Sequence, residues 1–105
     1  MTPGWAESLD MPWGPIPEAF ARSTERELRK EVPSNHLLYD RCWTARAIAR
    51  RFDCDDVAFE LDDGFAVVHL TWSHRPEPLP FFHAAIYDTF AALHAQMVRD
   101  YEAWV

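Results

Sequence analysis

The residues best equipped for chemistry crowd one stretch of the chain. Asp53-Cys54-Asp55-Asp56-Val57 is followed closely by Asp62-Asp63-Gly64. The first run fits D-x-D-x-[TV], the pattern that carries the aspartate nucleophile of haloacid-dehalogenase-type phosphatases. That chemistry needs a buried parallel strand ahead of the motif and a doubly wound domain around it. Here Arg50-Arg51-Phe52 stand ahead of it in a chain of 105 residues, so a solvated turn is expected instead. An EF-hand loop counted from Asp53 needs an oxygen ligand where Val57 stands, a glycine where Ala58 stands and a glutamate where Gly64 stands. It fails at all three. Asp55, Asp56, Asp62 and Asp63 could hold a cation loosely, but turn chemistry accounts for all four.

The histidines and the serine give no stronger set. Zinc needs three or four converging ligands. His69 and His74 are five residues apart and do not share a helical face, His83 and His94 follow without a pattern, and there is no Cys-x2-Cys. No metal ligand and no cofactor is expected. Ser73-His74 with Asp88 lacks the strand-turn-helix elbow of a hydrolase, and adjacent Ser and His rarely face each other. With only three glycines there is no phosphate-cradling loop. No catalytic residue emerges. Cys42 and Cys54 would lie at opposite ends of a strand, roughly 30 Å apart at about 3.3 Å per residue, too far for a disulfide.

These residues have to be positioned by a small number of elements. The chain is long enough for one domain with one core. Residues 1–15, with Trp5 and Trp13 among prolines and glycines, read as an irregular arm, and 16–105 as a single α+β domain. Pro17 starts a helix over Glu18–Glu31, with Phe20, Thr24, Leu28 and Val32 as its apolar stripe and the charged remainder, Glu27 to Glu31 included, in solvent. Thr44 to Arg51, Asp56 to Leu61 and Phe65 to Trp72 alternate with period two and predict a three-stranded antiparallel meander. Asp63-Gly64 predicts a type I′ turn that pairs Leu61 with Ala66, Phe59 with Val68 and Ala58 with His69. The first strand then sets Ala47 near Phe59, Ala49 near Val57, Arg46 near Glu60 and Arg50 near Asp56. Ser73 to Pro80 is a loop. Phe81 to Tyr87 reads equally as helix or extended chain. A C-terminal helix capped by Asp88 turns Phe90, Leu93, Met97, Tyr101 and Trp104 toward the sheet, and both helices are expected mostly on one sheet face.

Charge divides the chain. The first 52 residues hold eight basic and seven acidic side chains, the remaining 53 hold two and ten. An acidic half repels phosphate, so nucleic acid is excluded as a partner and a basic protein surface is favoured. No window reaches the 18 apolar residues of a membrane span, and Met1 to Pro17 lacks the regions of a signal peptide. A cytoplasmic protein with no membrane partner is expected. Nine arginines against one lysine is the bias of a GC-rich bacterial coding sequence.

Asp55-Asp56-Val57-Ala58-Phe59, then Ala66-Val67-Val68-His69-Leu70-Thr71-Trp72, with Glu27-Leu28, Glu31-Val32 and His36 upstream, resembles a group of short bacterial proteins of uncharacterised activity that share a DDVxF…VVHLTW core. The resemblance implies a small bacterial cytosolic protein and transfers no catalytic residue. In size and charge the chain is also similar to small immunity and inhibitor proteins. The leading expectation is therefore a non-enzymatic protein-binding module of inhibitor type. Asp53, Asp55, Asp56, Asp62 and Asp63 would meet a basic partner, with Trp72 or Phe81 as apolar anchor. The alternative is a small enzyme or ligand-binding domain that uses Arg46, Glu60 and His69 on the sheet face with His74 in the following loop. A third reading is an accessory domain that homodimerises.

Overall fold

The structure, a computed structural model, describes residues 9–78 and 82–105. It is an α+β domain with an N-terminal helix, an antiparallel sheet and a C-terminal helix. The elements run β1 (Trp13–Gly14), α1 (Glu18–Glu31), a 3-10 turn (Cys42–Thr44), β2 (Arg46–Arg51), β3 (Asp56–Leu61), β4 (Gly64–His69), β5 (His83–Tyr87) and α2 (Phe90–Trp104). The sheet is a continuous antiparallel meander in chain order. It has five strands rather than the expected three. β1 comes from the supposed irregular arm: Trp13 is buried and pairs with Arg51 at the free edge of β2. β5 comes from the ambiguous segment. Its Ala-Ala-Ile core carries no decisive propensity, and the open edge of β4 recruits it as a strand. Among the described residues no helix is long and apolar enough to cross a membrane.

The β3–β4 hairpin turns one residue earlier than Asp63-Gly64 predicts, which shifts every pairing by two residues. Leu61 pairs with Gly64, so Asp62 and Asp63 form the turn, and Phe59 faces Ala66 rather than Val68. Neither aspartate has positive φ, so this is not a type I′ turn. Gly64 serves another purpose. A Cβ there would lie 2.7 Å from the Tyr87 carbonyl oxygen, so the glycine lets β5 approach β4 closely. The aspartates tie the turn down instead: Asp63 accepts from Arg41 at 2.6 Å and Asp62 from the Thr44 hydroxyl at 3.0 Å. A two-residue shift preserves side-chain direction. Val57, Phe59, Leu61, Ala66, Val68 and Leu70 therefore still share one core face.

β2 behaves differently. Arg46 faces Glu60 and Ala47 faces Phe59 as expected, but a bulge at Ile48 then sets Ala49 against Ala58 and Arg50 against Val57. The extra residue rotates the strand. Ala49 leaves the Ala45–Ala47 face and joins Ile48 on the other, while Arg50 turns away from Asp56 and lies over the rings of Phe52 and Phe20, 4.7 and 5.5 Å from their centroids. The two helices lie on opposite sheet faces, not mostly on one. α1 covers the Phe59 side through Ala21, Leu28 and Val32. α2 covers the Ala58 side through Leu93 and Met97, joined by Trp13. Thr89, not Asp88, caps α2 by accepting from the Ala92 amide at 3.1 Å. Of the five α2 stripe residues only Leu93 and Met97 are buried, while Phe90, Tyr101 and Trp104 keep between a third and a half of their surface exposed.

Phe59 sits in the central strand with no exposed surface, whereas Glu60 next to it is exposed. Phe59→Ala should cost about 3–5 kcal/mol in chemical denaturation. Glu60→Ala should cost less than about 1 kcal/mol. Equal losses would contradict the assigned strand faces.

Candidate functional site

Two clusters of ionisable groups stand out, one on each side of the sheet. On the α1 side, Glu27 and Glu31 are one helical turn apart and both are buried, against the expectation of a solvated face. They hold the chain that leaves β4. Glu31 accepts from the Thr71 amide (2.9 Å) through Oε1 and from the Trp72 amide (2.7 Å) through Oε2. Glu27 accepts from the His74 amide (2.8 Å) and the His74 Nδ1–H (2.6 Å). Trp72 and His74 are both left-handed, with φ of 58° and 63°, a costly conformation for bulky side chains. The carboxylates supply the bonds that hold it, and Trp72 stacks on Phe20 with centroids 5.9 Å apart. Glu77 adds a third acceptor, for the Thr71 and Ser73 hydroxyls at 2.6 and 2.8 Å.

Two carboxyls this close cannot both ionise freely. Burial, and then the neighbouring Glu27, push Glu31 up to about 7. Burial opposes the charge of Glu27 too, but the hydrogen bonds from Glu31 and His74 outweigh it and hold Glu27 below the usual range. Glu31 therefore keeps the shared proton and Glu27 the charge. Paired carboxyls with separated pKa values suit general acid–base work. Here all four oxygens are engaged and neither residue is open to a substrate, so the pair acts as a lock on the loop.

The other cluster lies on the α2 side. Asp56, His69 and His83 face one another across β3, β4 and β5. They line a cleft of about 330 Å³ between the sheet and α2, with Arg51, Tyr87 and Asp100 on its walls. His69 Nδ1 lies 2.8 Å from Asp56 Oδ1. A carboxylate accepts, so the Nδ1–H of His69 is the donor of this bond. Asp100 accepts from the Trp13 indole at 2.8 Å and lies 3.5 Å from Arg51, which also binds Asp53 at 2.7 Å. Burial first, then the charge of Asp100, push the Tyr87 hydroxyl up, so it stays a donor. Cys54, from the connection between β2 and β3, completes the group: its sulfur, an Asp56 oxygen and a His69 nitrogen all lie within 4.8 Å of one another. Partial burial above all, with the charges of Asp56 and Asp53, holds the Cys54 thiol above its ordinary range. An unaided thiol so placed is a poor nucleophile.

The residues singled out from sequence are dispersed by the fold. Asp53, Asp55 and Asp56 sit at one end of β3, Asp62 and Asp63 at the other, and all but Asp55 have side-chain partners already named. Asp55 accepts from the Leu70 amide through its backbone carbonyl. Trp72 is half-buried on the α1 side, and Phe81 lies outside the described residues. Arg46 and Glu60 pair at the far end of β3 from His69, and His74 lies on the opposite side of the sheet, so these four do not converge. Sequence reasoning missed Glu27, Glu31, His83, Arg51 and Asp100. For the glutamates a signal was present: two like charges at i, i+4 weaken an isolated helix, so their pairing pointed to a tertiary role.

The lock implies a pH dependence. The folded-state value of Glu31, about 7, lies above its ordinary 4.5. Between these values the folded chain holds a proton that the unfolded chain has released, so stability falls as pH rises through this window, by on the order of 3 kcal/mol. Glu31→Gln cannot ionise and loses one acceptor. Its stability should be lower by about 1–3 kcal/mol at low pH, with a clearly flatter slope between about pH 5 and 8. Urea denaturation across that range checks this, and an unchanged slope would contradict it.

No family model matches the chain, and no match is found among curated proteins or solved structures, so the function has to be read from the geometry alone.

Proposed function

We propose that the domain is a ligand-binding module that takes a small cationic ligand in the cleft between the sheet and α2. The observation that carries this reading is the row Asp56–His69–His83 on the cleft floor with Asp100 opposite. The cleft volume falls in the range of small-ligand sites. Its one arginine, Arg51, is held by Asp53 and Asp100, so the guanidinium is already paired with carboxylates. A cation bearing hydrogen-bond donors would meet the Asp56 carboxylate beside the two histidine rings, with Tyr87 and Met97 as apolar walls. Chemical-shift mapping with a set of small amines tests this. The expected result is perturbation confined to His69, His83, Tyr87 and Gln96, lost in Asp56→Asn. Shifts absent from the cleft at millimolar amine would contradict it.

A second reading, the inhibitor-type module that binds a basic protein surface, is supported by the excess of ten acids over two bases from residue 53 onward. Asp62 and Asp63 stay exposed at one end of β3, and Asp53 and Asp55 at the other. Such a field acts mainly on association rate. With a partner captured from the host, raising salt from about 50 to about 500 mM should slow association far more than it changes dissociation. Replacing Asp55, Asp56, Asp62 and Asp63 together by Asn should mimic that effect. An unchanged association rate would remove this reading.

A further inference from the structure

We propose that Cys54, Asp56 and His69 form a binding site for a zinc-class transition metal ion at the edge of the cleft. This site goes beyond the cleft reading: it shares Asp56 and His69 with it and adds a metal ion at the cleft's edge, apart from the organic cation. One sulfur, one carboxylate oxygen and one imidazole nitrogen, mutually within 4.8 Å, are the three donor types zinc takes. Calcium and magnesium prefer oxygen alone, so the thiolate and the imidazole select against them.

The fold presets most of the geometry. Asp56 and His69 are directly opposed in the β3–β4 ladder, and their side chains already meet at 2.8 Å. Cys54 comes from a short connection braced at both ends: the Phe52 amide donates to the Pro12 carbonyl at 2.7 Å, and the Asp55 carbonyl accepts from Leu70 at 3.3 Å. A tetrahedral ion about 2.0–2.3 Å from each ligand needs donors roughly 3.5 Å apart. The Asp56 and His69 side chains, now 2.8 Å apart, have to part slightly by side-chain rotation to admit the ion while their strands stay paired, and Cys54, exposed on a turn, closes from the other side. The ion takes the place of the proton between Asp56 and His69. That proton moves to His69 Nε2, and the Cys54 thiol proton leaves to solvent. Three protein ligands leave a fourth position for water or for a donor in the cleft, where His83 stands beside His69.

Cobalt and zinc titrations of the full chain test the site. One equivalent of Co2+ should produce a thiolate-to-cobalt charge-transfer absorption with tetrahedral ligand-field bands, and Zn2+ should displace it. Cys54→Ser should abolish the charge-transfer band. His69→Ala should weaken binding at least about tenfold. Cys42→Ser, which alters the buried cysteine on the α1 side, should leave the spectrum unchanged. In the unsubstituted protein zinc should shift the Cys54 Cβ and the His69 ring carbons but not those of His36. The proposal is overturned if no charge-transfer band appears, if the band survives Cys54→Ser, or if zinc moves neither Cys54 nor His69. Amine-induced shifts at His83 and Tyr87 in a protein that ignores cobalt would overturn the metal alone and leave the cleft reading standing.

Discussion

Everything on the α2 side of the sheet depends on the register of the β3–β4 hairpin. With Asp62 and Asp63 as the turn, Asp56 lies opposite His69 and His69 opposite His83. With the turn one residue later, at Asp63-Gly64, His69 would oppose Ala58 and the polar row would not exist. The core tolerates either arrangement, because a two-residue slip along β4 keeps Ala66 and Val68 on the Phe59 face. What selects the observed register is local and polar. Arg41 and Thr44 hold the turn aspartates, and Gly64 yields space to the Tyr87 carbonyl. The hydrophobic pattern thus decides which face each residue takes, and the turn contacts decide which neighbours it meets.

A second constraint governs the α1 side. A strand that ends, bulges or bends leaves backbone amides without ladder partners, and buried amides need acceptors. Three glutamates of α1 supply them. Glu25 takes the Ala47 amide at 3.0 Å just before the β2 bulge, Glu31 takes Thr71 and Trp72, and Glu27 takes His74. The helix therefore docks through its acids as well as through Leu28 and Val32. The left-handed turns at Trp72 and His74 are held because their amides point at carboxylates. The cost appears in the shared proton of Glu27 and Glu31, which makes this side of the molecule sensitive to pH near neutrality.

The limits of reading the sequence follow from these two facts. α1 was legible to its ends, from Glu18 to Glu31, because Pro17 and a clear stripe mark it. The strands β3 and β4 and their core face were legible from alternation, but β2 only as far as Ala47, because the bulge that turns Ala49 to the other side leaves no mark in the pattern. Gly64 misled because glycine serves both positive φ and close approach, and one sequence does not say which. β1 was too short to alternate, and β5 mixes helix-forming alanines with strand-forming residues. The cleft was illegible for a deeper reason. Asp56 and His69 are thirteen residues apart and His83 another fourteen, so only the correct register and a fourth neighbouring strand bring them together. The buried glutamates were hidden by the ordinary rule that acids on a helix face water.

The chemistry of the protein is thus laid out by topology: a sealed carboxyl pair that orders a loop on one side, and an open imidazole–carboxylate row with a cysteine at its end on the other. Both follow from which strand residues stand opposite each other. Cross-strand nuclear Overhauser contacts along β3, β4 and β5 in solution test that claim most directly. The account predicts contacts that set Asp56 opposite His69 and His69 opposite His83, with slowly exchanging amides at Thr71 and Trp72. Contacts that set His69 opposite Ala58 would contradict it, because that register dissolves the row on which the cleft is built.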